Sequence, residues 1–149
     1  MTTPRPEARR ATRALREIVA VSKQFEGHLG RQLDVNATDL EAMEHLIESG
    51  PLSPAELSRR LGITRPAVTA VVDRLAEVGH ASRAANPNDR RGVVVTASPR
   101  STGQAMGILM PMIVDVDSTL DDFDPAEQAV IADYLERVLA AYRRHLPTR

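Results

Sequence analysis

Residues 52–75 decide the fold, and they read LSPAELSRRLGITRPAVTAVVDRL. Ser53 and Glu56 have the spacing of a capping box, in which each side chain binds the other residue's backbone N–H, so a helix begins here. Gly62 ends that helix, because glycine adopts a positive φ without a steric penalty. Thr64 then caps a second helix. The stretch therefore predicts two short helices joined by a tight turn.

The second helix has one apolar face and one polar face. Its apolar residues are spaced i, i+3, i+4 and i+7: Val68, Val71, Val72 and Leu75. A helix-turn-helix presents the start of such a second helix to the major groove of DNA. We therefore expect Arg65 to pair with a guanine and Thr69 to contact a thymine methyl group, with Thr64 at the cap beside them. Two amphipathic helices of another fold would show the same pattern, so the residues after Leu75 are needed to decide between the two.

A hairpin is predicted directly after the second helix. Residues 80–85 form a weak strand and residues 93–96 the clearest strand of the chain, and the residues between them form a polar turn. A turn that carries Arg90 and Arg91 suits the minor groove, whose negative potential attracts guanidinium groups. Asp89 is expected to pair with a nearby arginine or to cap the turn, which fixes the direction of both arginines. A solvated hairpin is the alternative.

Two segments together resemble one known family. The run NPNDRRGVVVT at residues 86–96 resembles the wing signature of the MarR family of transcriptional regulators, and residues 64–75 resemble its recognition helix. The resemblance implies a mainly α fold with a small two-stranded β wing, in which a winged helix-turn-helix lobe is joined to N- and C-terminal dimerisation helices. It also implies that two lobes read a pseudo-palindrome with half-sites about one helical turn apart.

The chain of 149 residues is long enough for one domain with a modest core. We predict a single domain over residues 7–146, with the winged lobe at 37–98 and dimerisation helices at 7–33 and 99–146. The last helix carries a wide apolar face, made of Val130, Ile131, Tyr134, Leu135, Val138, Leu139, Tyr142 and Leu146. A face that wide needs more than one neighbouring helix, so we expect a homodimer.

The composition excludes several classes of protein. Hydrophobic residues make up 42% of the chain, and no apolar run reaches the ~20 residues that a membrane span needs. The first residues are basic and polar, unlike a signal peptide, so we expect a cytoplasmic protein without a membrane partner. The chain has no cysteine, which excludes disulfides, thiolate metal sites and a thiol redox switch.

Charge is distributed unevenly along the chain. Residues 53–100 hold eight arginines against four acidic residues, whereas residues 101–149 hold four arginines against eight acidic residues. A basic middle segment suits contact with the phosphates of DNA. Arg59, Arg60 and Arg74 are the candidates for those contacts. An excess of four charges is also ordinary for a protein surface.

Motifs for catalysis and for cofactor binding are missing from the sequence. There is no glycine-rich phosphate loop, no nucleophile elbow and no pair of histidines at helical spacing. His45 lies near Glu41, Glu44 and Glu48, but a solvated acidic helix face explains these residues better than a metal site. We therefore expect no enzyme, no cofactor and no metal.

The resemblance also implies a crevice for a small, often aromatic, anion between the dimerisation helices and the DNA-binding lobe. Phe25, His28 and Met43 are the candidates to line it, although each could equally be a core or surface residue. The function predicted is a sequence-specific regulator that binds double-stranded DNA as a homodimer on a pseudo-palindromic operator, and that acts as a ligand-responsive repressor. The alternative is a helical dimer whose winged lobe binds another protein.

Overall fold

The structure is a computed structural model that describes residues 8–147. In chain order its elements are α1 (Arg10–Leu33), α2 (Ala37–Ser49), α3 (Pro54–Leu61), α4 (Arg65–Val78), β1 (Ala81–Asn86), β2 (Asp89–Ala97), α5 (Pro99–Ser118), a 3-10 turn (Thr119–Asp122) and α6 (Pro125–Arg144). The predicted fold class, mainly α with a two-stranded wing, is confirmed. Glu7, where the first helix was expected to begin, lies outside the described residues.

Side-chain caps begin the two central helices, as the sequence predicts, but the capping box expected at Ser53 is only half formed, because the Glu56 carboxylate binds Arg59 and Arg60. The Ser53 hydroxyl accepts a hydrogen bond from the backbone N–H of Glu56 at 3.1 Å, and the Thr64 hydroxyl accepts one from Ala67 at 3.3 Å. Gly62 comes directly after α3 with a φ of 64°, in the left-handed region that favours glycine. The Ser58 hydroxyl donates to the carbonyl of Ile63 at 2.6 Å, which closes the turn between the helices.

The core of the winged lobe is built mainly from branched aliphatic side chains. The largest fully buried side chains come from α1, α2, α3, α4 and β2: Leu29, Leu33, Met43, Leu57, Val68, Val71, Val72, Leu75 and Val95. The predicted apolar face of α4 is therefore confirmed. Burial of this face against α2 and α3 stabilises the lobe by the hydrophobic effect and leaves the opposite face of α4 free.

The wing is an antiparallel pair, β1 with β2, whose register runs from Ala81 opposite Ala97 to Asn86 opposite Asp89. The predicted turn over residues 86–92 was too long, because Asp89, Arg90 and Arg91 already belong to β2. The cause is a tight turn in which the Asn86 side chain accepts a hydrogen bond from the N–H of Asn88 at 2.9 Å. Strand pairing therefore resumes at Asp89.

The chain divides into two compact units, the first ending at Ile108 and the second beginning at Leu109. The second unit holds the end of α5, the 3-10 turn and α6. Asp124 and Glu127 form a capping box at the start of α6, as their spacing suggests. No described residue of α6 is buried, and its apolar face is exposed at Val130, Tyr134, Leu135, Leu139 and Tyr142. Leu146, which the sequence analysis placed on this helix, lies beyond its end at Arg144.

Candidate nucleic-acid interface

The start of α4 is exposed, as readout of DNA bases requires. Arg65 is the first residue of the helix, and its side chain makes no hydrogen bond or ion pair with another residue in the range 8–147. Thr69 lies one turn later, also exposed, and its hydroxyl donates to the carbonyl of Arg65 at 3.2 Å. Pro66 occupies the first turn at little cost, because the N–H that proline lacks would have no partner in the helix. The helix therefore presents a free guanidinium at its tip.

The two wing arginines are also exposed and free of acidic partners within the described part of the chain. Arg90 and Arg91 follow Asp89, the first residue of β2, next to the turn. The Asp89 carboxylate accepts a hydrogen bond from the backbone N–H of Arg91 at 3.0 Å. Of the two roles expected for Asp89, the structure therefore shows the capping of the turn.

The wing and the recognition helix are tied together within the first unit. Leu52, just before α3, exchanges two backbone hydrogen bonds with Val95 of β2, at 3.0 Å and 2.7 Å. Arg83 of β1 pairs with Asp73 of α4 at 2.6 Å. The polar tip of the wing and the start of α4 are thus held in one folded lobe.

Two of the predicted phosphate contacts share an acidic partner. Glu56 accepts hydrogen bonds from Arg59 at 3.0 Å and from Arg60 at 2.8 Å, all on the surface of α3. These bonds lower the pKa of Glu56 to about 2. Arg59 and Arg60 therefore approach any phosphate with part of their charge already balanced.

The third predicted phosphate contact, Arg74, is held by a residue that the sequence reasoning did not identify. The Arg74 guanidinium donates to both carboxylate oxygens of Asp39, at 3.0 Å from Nε and 2.7 Å from Nη2. The Asp39 side chain is 4% exposed. The two residues lie 35 positions apart, so no local sequence pattern could have paired them.

His80 is a second important residue that the sequence reasoning missed. In the sequence, His80 lies between α4 and β1. Its buried ring contacts the Ser101 hydroxyl through Nδ1 at 2.7 Å and the Leu33 carbonyl through Nε2 at 2.6 Å. Because a carbonyl only accepts, Nε2 is the donor. The ring thus joins the end of α1, the end of α4 and the start of α5.

The three candidate effector residues do not form one pocket wall. Met43 belongs to the core, with 1% of its surface exposed, while Phe25 is half-buried and His28 is exposed. The rings of Phe25 and His28 lie 6.3 Å apart and tilted. None of the three lines either of two clefts, each of about 520 Å³, found beside the end of α1.

The first cleft, between α1 and α2, is lined by acidic and basic residues that include Glu26, Glu41, Glu44, Lys23 and Arg31. Burial raises the pKa of Glu44, and the neighbouring carboxylates of Glu26, Glu48 and Glu41 raise it further. Over residues 8–147 no cluster of three or more ligand side chains could hold a metal ion. No helix in that range is long and apolar enough to cross a membrane.

Sequence comparison identifies relatives of this lobe. A sequence profile described as the MarR family matches residues 33–92. The HTH-type transcriptional regulator YcgE of Bacillus subtilis is 32% identical over 111 residues, which cover 74% of this chain and 70% of the relative. The multiple antibiotic resistance protein MarR of Salmonella typhimurium is 37% identical over 67 residues, or 45% of this chain and 46% of that protein.

Solved structures share the fold over nearly the whole chain. A MarR-like transcriptional regulator from Thermotoga maritima superposes with a TM-score of 0.69 at 24% identity, covering 93% of this chain and 100% of that one. MarR from E. coli superposes with a TM-score of 0.61 at 22% identity, covering 89% and 98%. With the exposed recognition helix and the wing, these similarities show that the chain belongs to the MarR family and is a DNA-binding transcriptional regulator.

Proposed function

We propose that this protein is a homodimeric repressor that reads a pseudo-palindromic operator and releases it when a small ligand binds. One observation carries the proposal: Arg65, Arg90 and Arg91, the arginines at the tips of α4 and the wing, have no acidic partner among residues 8–147. Guanidinium groups held ready in this way can bind base edges and the minor groove without first breaking an ion pair.

Within this proposal each exposed residue has a distinct role. Arg65 binds the N7 and O6 acceptors of a guanine, and Thr69 contacts a thymine methyl group. Thr64 fixes the first turn of α4 through its capping bond at 3.3 Å. Arg90 and Arg91 enter the minor groove, and Asp89 holds the turn that directs them.

Phosphate contacts are assigned to Arg59 and Arg60 of α3. The side chain of Arg59 is 71% exposed, so DNA can reach it. Glu56 holds both guanidinium groups at one edge of the helix, which limits their freedom before DNA arrives. These contacts would strengthen binding to all sequences alike and make it sensitive to salt.

The exposed apolar residues support a dimer. Apolar side chains of α1 and α6 face solvent in the single chain, among them Ile18 at 63% exposure and Val130 at 70%. An exposed apolar face on a helix marks an interaction surface. A second copy that buries these helices would place two lobes on one operator, as two-fold symmetry requires.

A ligand response is supported by one structural relative, the regulator NadR, solved in complex with 4-hydroxyphenylacetate. In this chain the tilted rings of Phe25 and His28 offer an aromatic surface on α1 for a small aromatic anion. Met43 is buried in the core of the lobe and is not part of this surface. We further place the protein in the cytoplasm and assign it a binding role without catalysis.

The test is binding of the purified protein to its own upstream DNA and to scrambled DNA of equal length, at two salt concentrations. A specific reader should prefer its operator by about 10³-fold or more, and binding to both DNAs should weaken as salt rises. Equal, salt-sensitive binding to both DNAs would contradict the claim that the protein reads a sequence in its own upstream DNA. No binding at low salt would overturn the proposal and favour a protein-binding role for the winged lobe.

A further inference from the structure

The Arg74–Asp39 ion pair connects the recognition helix to α2, a helix in which we predict no residue that contacts DNA. Arg74 belongs to α4 and Asp39 to the first turn of α2, and both carboxylate oxygens are bound. We propose that this pair sets the position of α4, so that Arg74 is a positioning residue for DNA recognition and does not contact phosphate. The inference rests on the proposed function, because it concerns how the operator is read.

Burial explains why Asp39 holds Arg74 so firmly. The carboxylate is 4% exposed, and no other cation within residues 8–147 pairs with it. A buried carboxylate without a partner is strongly unfavourable, so moving Arg74 onto a phosphate would leave Asp39 uncompensated. The geometry therefore favours a permanent pair over one that opens when DNA binds.

The α2 side of the pair is rigid. The backbone N–H of Asp39 donates to the side chain of Asn36, the cap of α2, at 2.8 Å. Asp39 also lies in the first turn of α2, where the helix dipole favours a negative charge. Leu40 and Met43, further along the same helix, are buried in the core of the lobe. Asp39 is thus a fixed reference point.

The α4 side shows what the pair constrains. Arg74 comes nine residues after Arg65, which is about two and a half helical turns, so the two side chains leave α4 on opposite sides. The buried face of α4 is made of valine and leucine, whose contacts have no preferred direction and tolerate small rotations and shifts of the helix. Two parallel N–H···O bonds to one carboxylate add a directional restraint between α4 and α2.

The experiment compares Arg74→Lys and Asp39→Asn with the wild type, each as the full chain, on operator and scrambled DNA over a range of salt. Lysine keeps the charge that a phosphate would need but cannot bind both carboxylate oxygens in parallel. We expect both variants to lose about tenfold in preference for the operator. Binding to scrambled DNA and the dependence of log affinity on log salt should not change.

Two further variants keep the result interpretable. Arg137→Lys is the matched control, because Arg137 pairs with Asp133 on the exposed surface of α6, and it should behave as the wild type. The double variant Asp39→Leu/Arg74→Met removes both charges together and leaves no unpaired buried group, so the chain should stay folded, as circular dichroism will show. It should lose operator preference like the single variants.

The outcomes separate this inference from the proposed function. A wild-type protein without preference for the operator would overturn both. A wild type that prefers the operator, together with an Arg74→Lys variant of unchanged preference, would overturn the inference alone. So would a double variant Asp39→Leu/Arg74→Met that weakens binding to both DNAs equally and lowers the salt dependence by about one phosphate contact, because that is the signature of a phosphate contact.

Discussion

Arg65 and Arg74 are nine residues apart on one helix, yet the structure gives them opposite surroundings. The Arg65 side chain has no partner among residues 8–147, whereas Arg74 is bound through two nitrogens to a buried carboxylate. A guanidinium already satisfied by an aspartate has little to gain from a phosphate, whereas a solvated one at a helix start can bind a base edge. Whether an arginine of this lobe is available to DNA therefore depends on whether it already has an acidic partner, since all of them carry the same charge.

Arg65→Ala should lose sequence readout while keeping general affinity for DNA. The expected cost of losing a bidentate base contact is ~1–3 kcal/mol, or about 5- to 150-fold, on operator binding, with little change on scrambled DNA. Titration of both DNAs at one salt concentration measures it, with Arg137→Ala on α6 as the control. Unchanged operator binding would rule out base contact by Arg65.

Glu44→Gln should make the protein more stable at neutral pH. Burial and then Glu26, Glu48 and Glu41 raise the pKa of Glu44 above its ordinary 4.5, so the folded chain holds this proton more tightly than the unfolded chain. The ionised carboxylate therefore lowers stability above its folded-state pKa, and the penalty vanishes as pH falls below 4.5.

Thermal unfolding at about pH 7 and at about pH 4, which is below the ordinary pKa of 4.5, checks this sign. The variant should melt at a higher temperature than the wild type at neutral pH, and the difference should shrink at acidic pH. Glu17→Gln, on the exposed surface of α1, serves as the control and should show neither effect. If the melting temperature of the variant rises as much at acidic pH as at neutral pH, ionisation of Glu44 is not the cause.

At the scale of elements, His80 joins three helices of the first unit. Its ring donates to the last residue of α1 and contacts Ser101 in α5, while its own backbone comes directly after the glycine that ends α4. Ser98 completes the chain by donating to the Ser101 hydroxyl at 2.7 Å. Because the ring is buried, each of these bonds replaces one that water would otherwise make.

His80→Leu should destabilise the lobe without touching the DNA surface. Leucine leaves the Leu33 carbonyl and the Ser101 hydroxyl short of a partner, which costs ~1–3 kcal/mol and lowers the melting temperature by roughly 2–12 °C. Differential scanning calorimetry measures the change, with the exposed His28→Leu as the control. A melting temperature equal to that of the wild type would show that the histidine bonds add nothing net.

At the scale of the whole molecule, α6 is the helix whose apolar face stays exposed in a single chain. Its side chains are apolar over a wide face, and none of its described residues is buried. Leu135 and Leu139 are each 48% exposed on that face. Exposed apolar surface of this extent is best explained by a second copy of the chain, as the proposed dimer requires.

The double variant Leu135→Glu/Leu139→Glu should therefore convert a dimer to a monomer, because charged side chains oppose burial in an apolar interface. Analytical ultracentrifugation gives the mass. Affinity for the full operator should fall by about 100-fold or more, since one lobe loses the effective concentration that its partner provides. Glu136→Gln, on the same helix, should remain dimeric. A dimeric double variant would show that α6 is not the interface.

The sequence by itself determined the elements and their type. Helix caps act over about three residues, helical periodicity over about seven, and the turn at Gly62 over about two. The interactions that form these elements therefore join residues that are close in the sequence. The same local signals placed Arg65 and Thr69 on the free face of α4. Local signals overestimated the turn of the wing, because the bond from Asn88 to Asn86 and the pairing of Asp89 with β1 are formed only in the folded hairpin.

Only the tertiary structure decided which charged side chains are free to contact DNA and which are bound within the lobe. Asp39 meets Arg74 across 35 residues, and His80 meets Leu33 across 47, at separations where sequence pattern carries no information about contact. Both contacts depend on packing of the aliphatic core, which brings distant polar groups together and removes water from them. Folding therefore binds Arg74 inside the lobe and leaves Arg65 exposed, although the sequence alone presents both as basic residues of one helix.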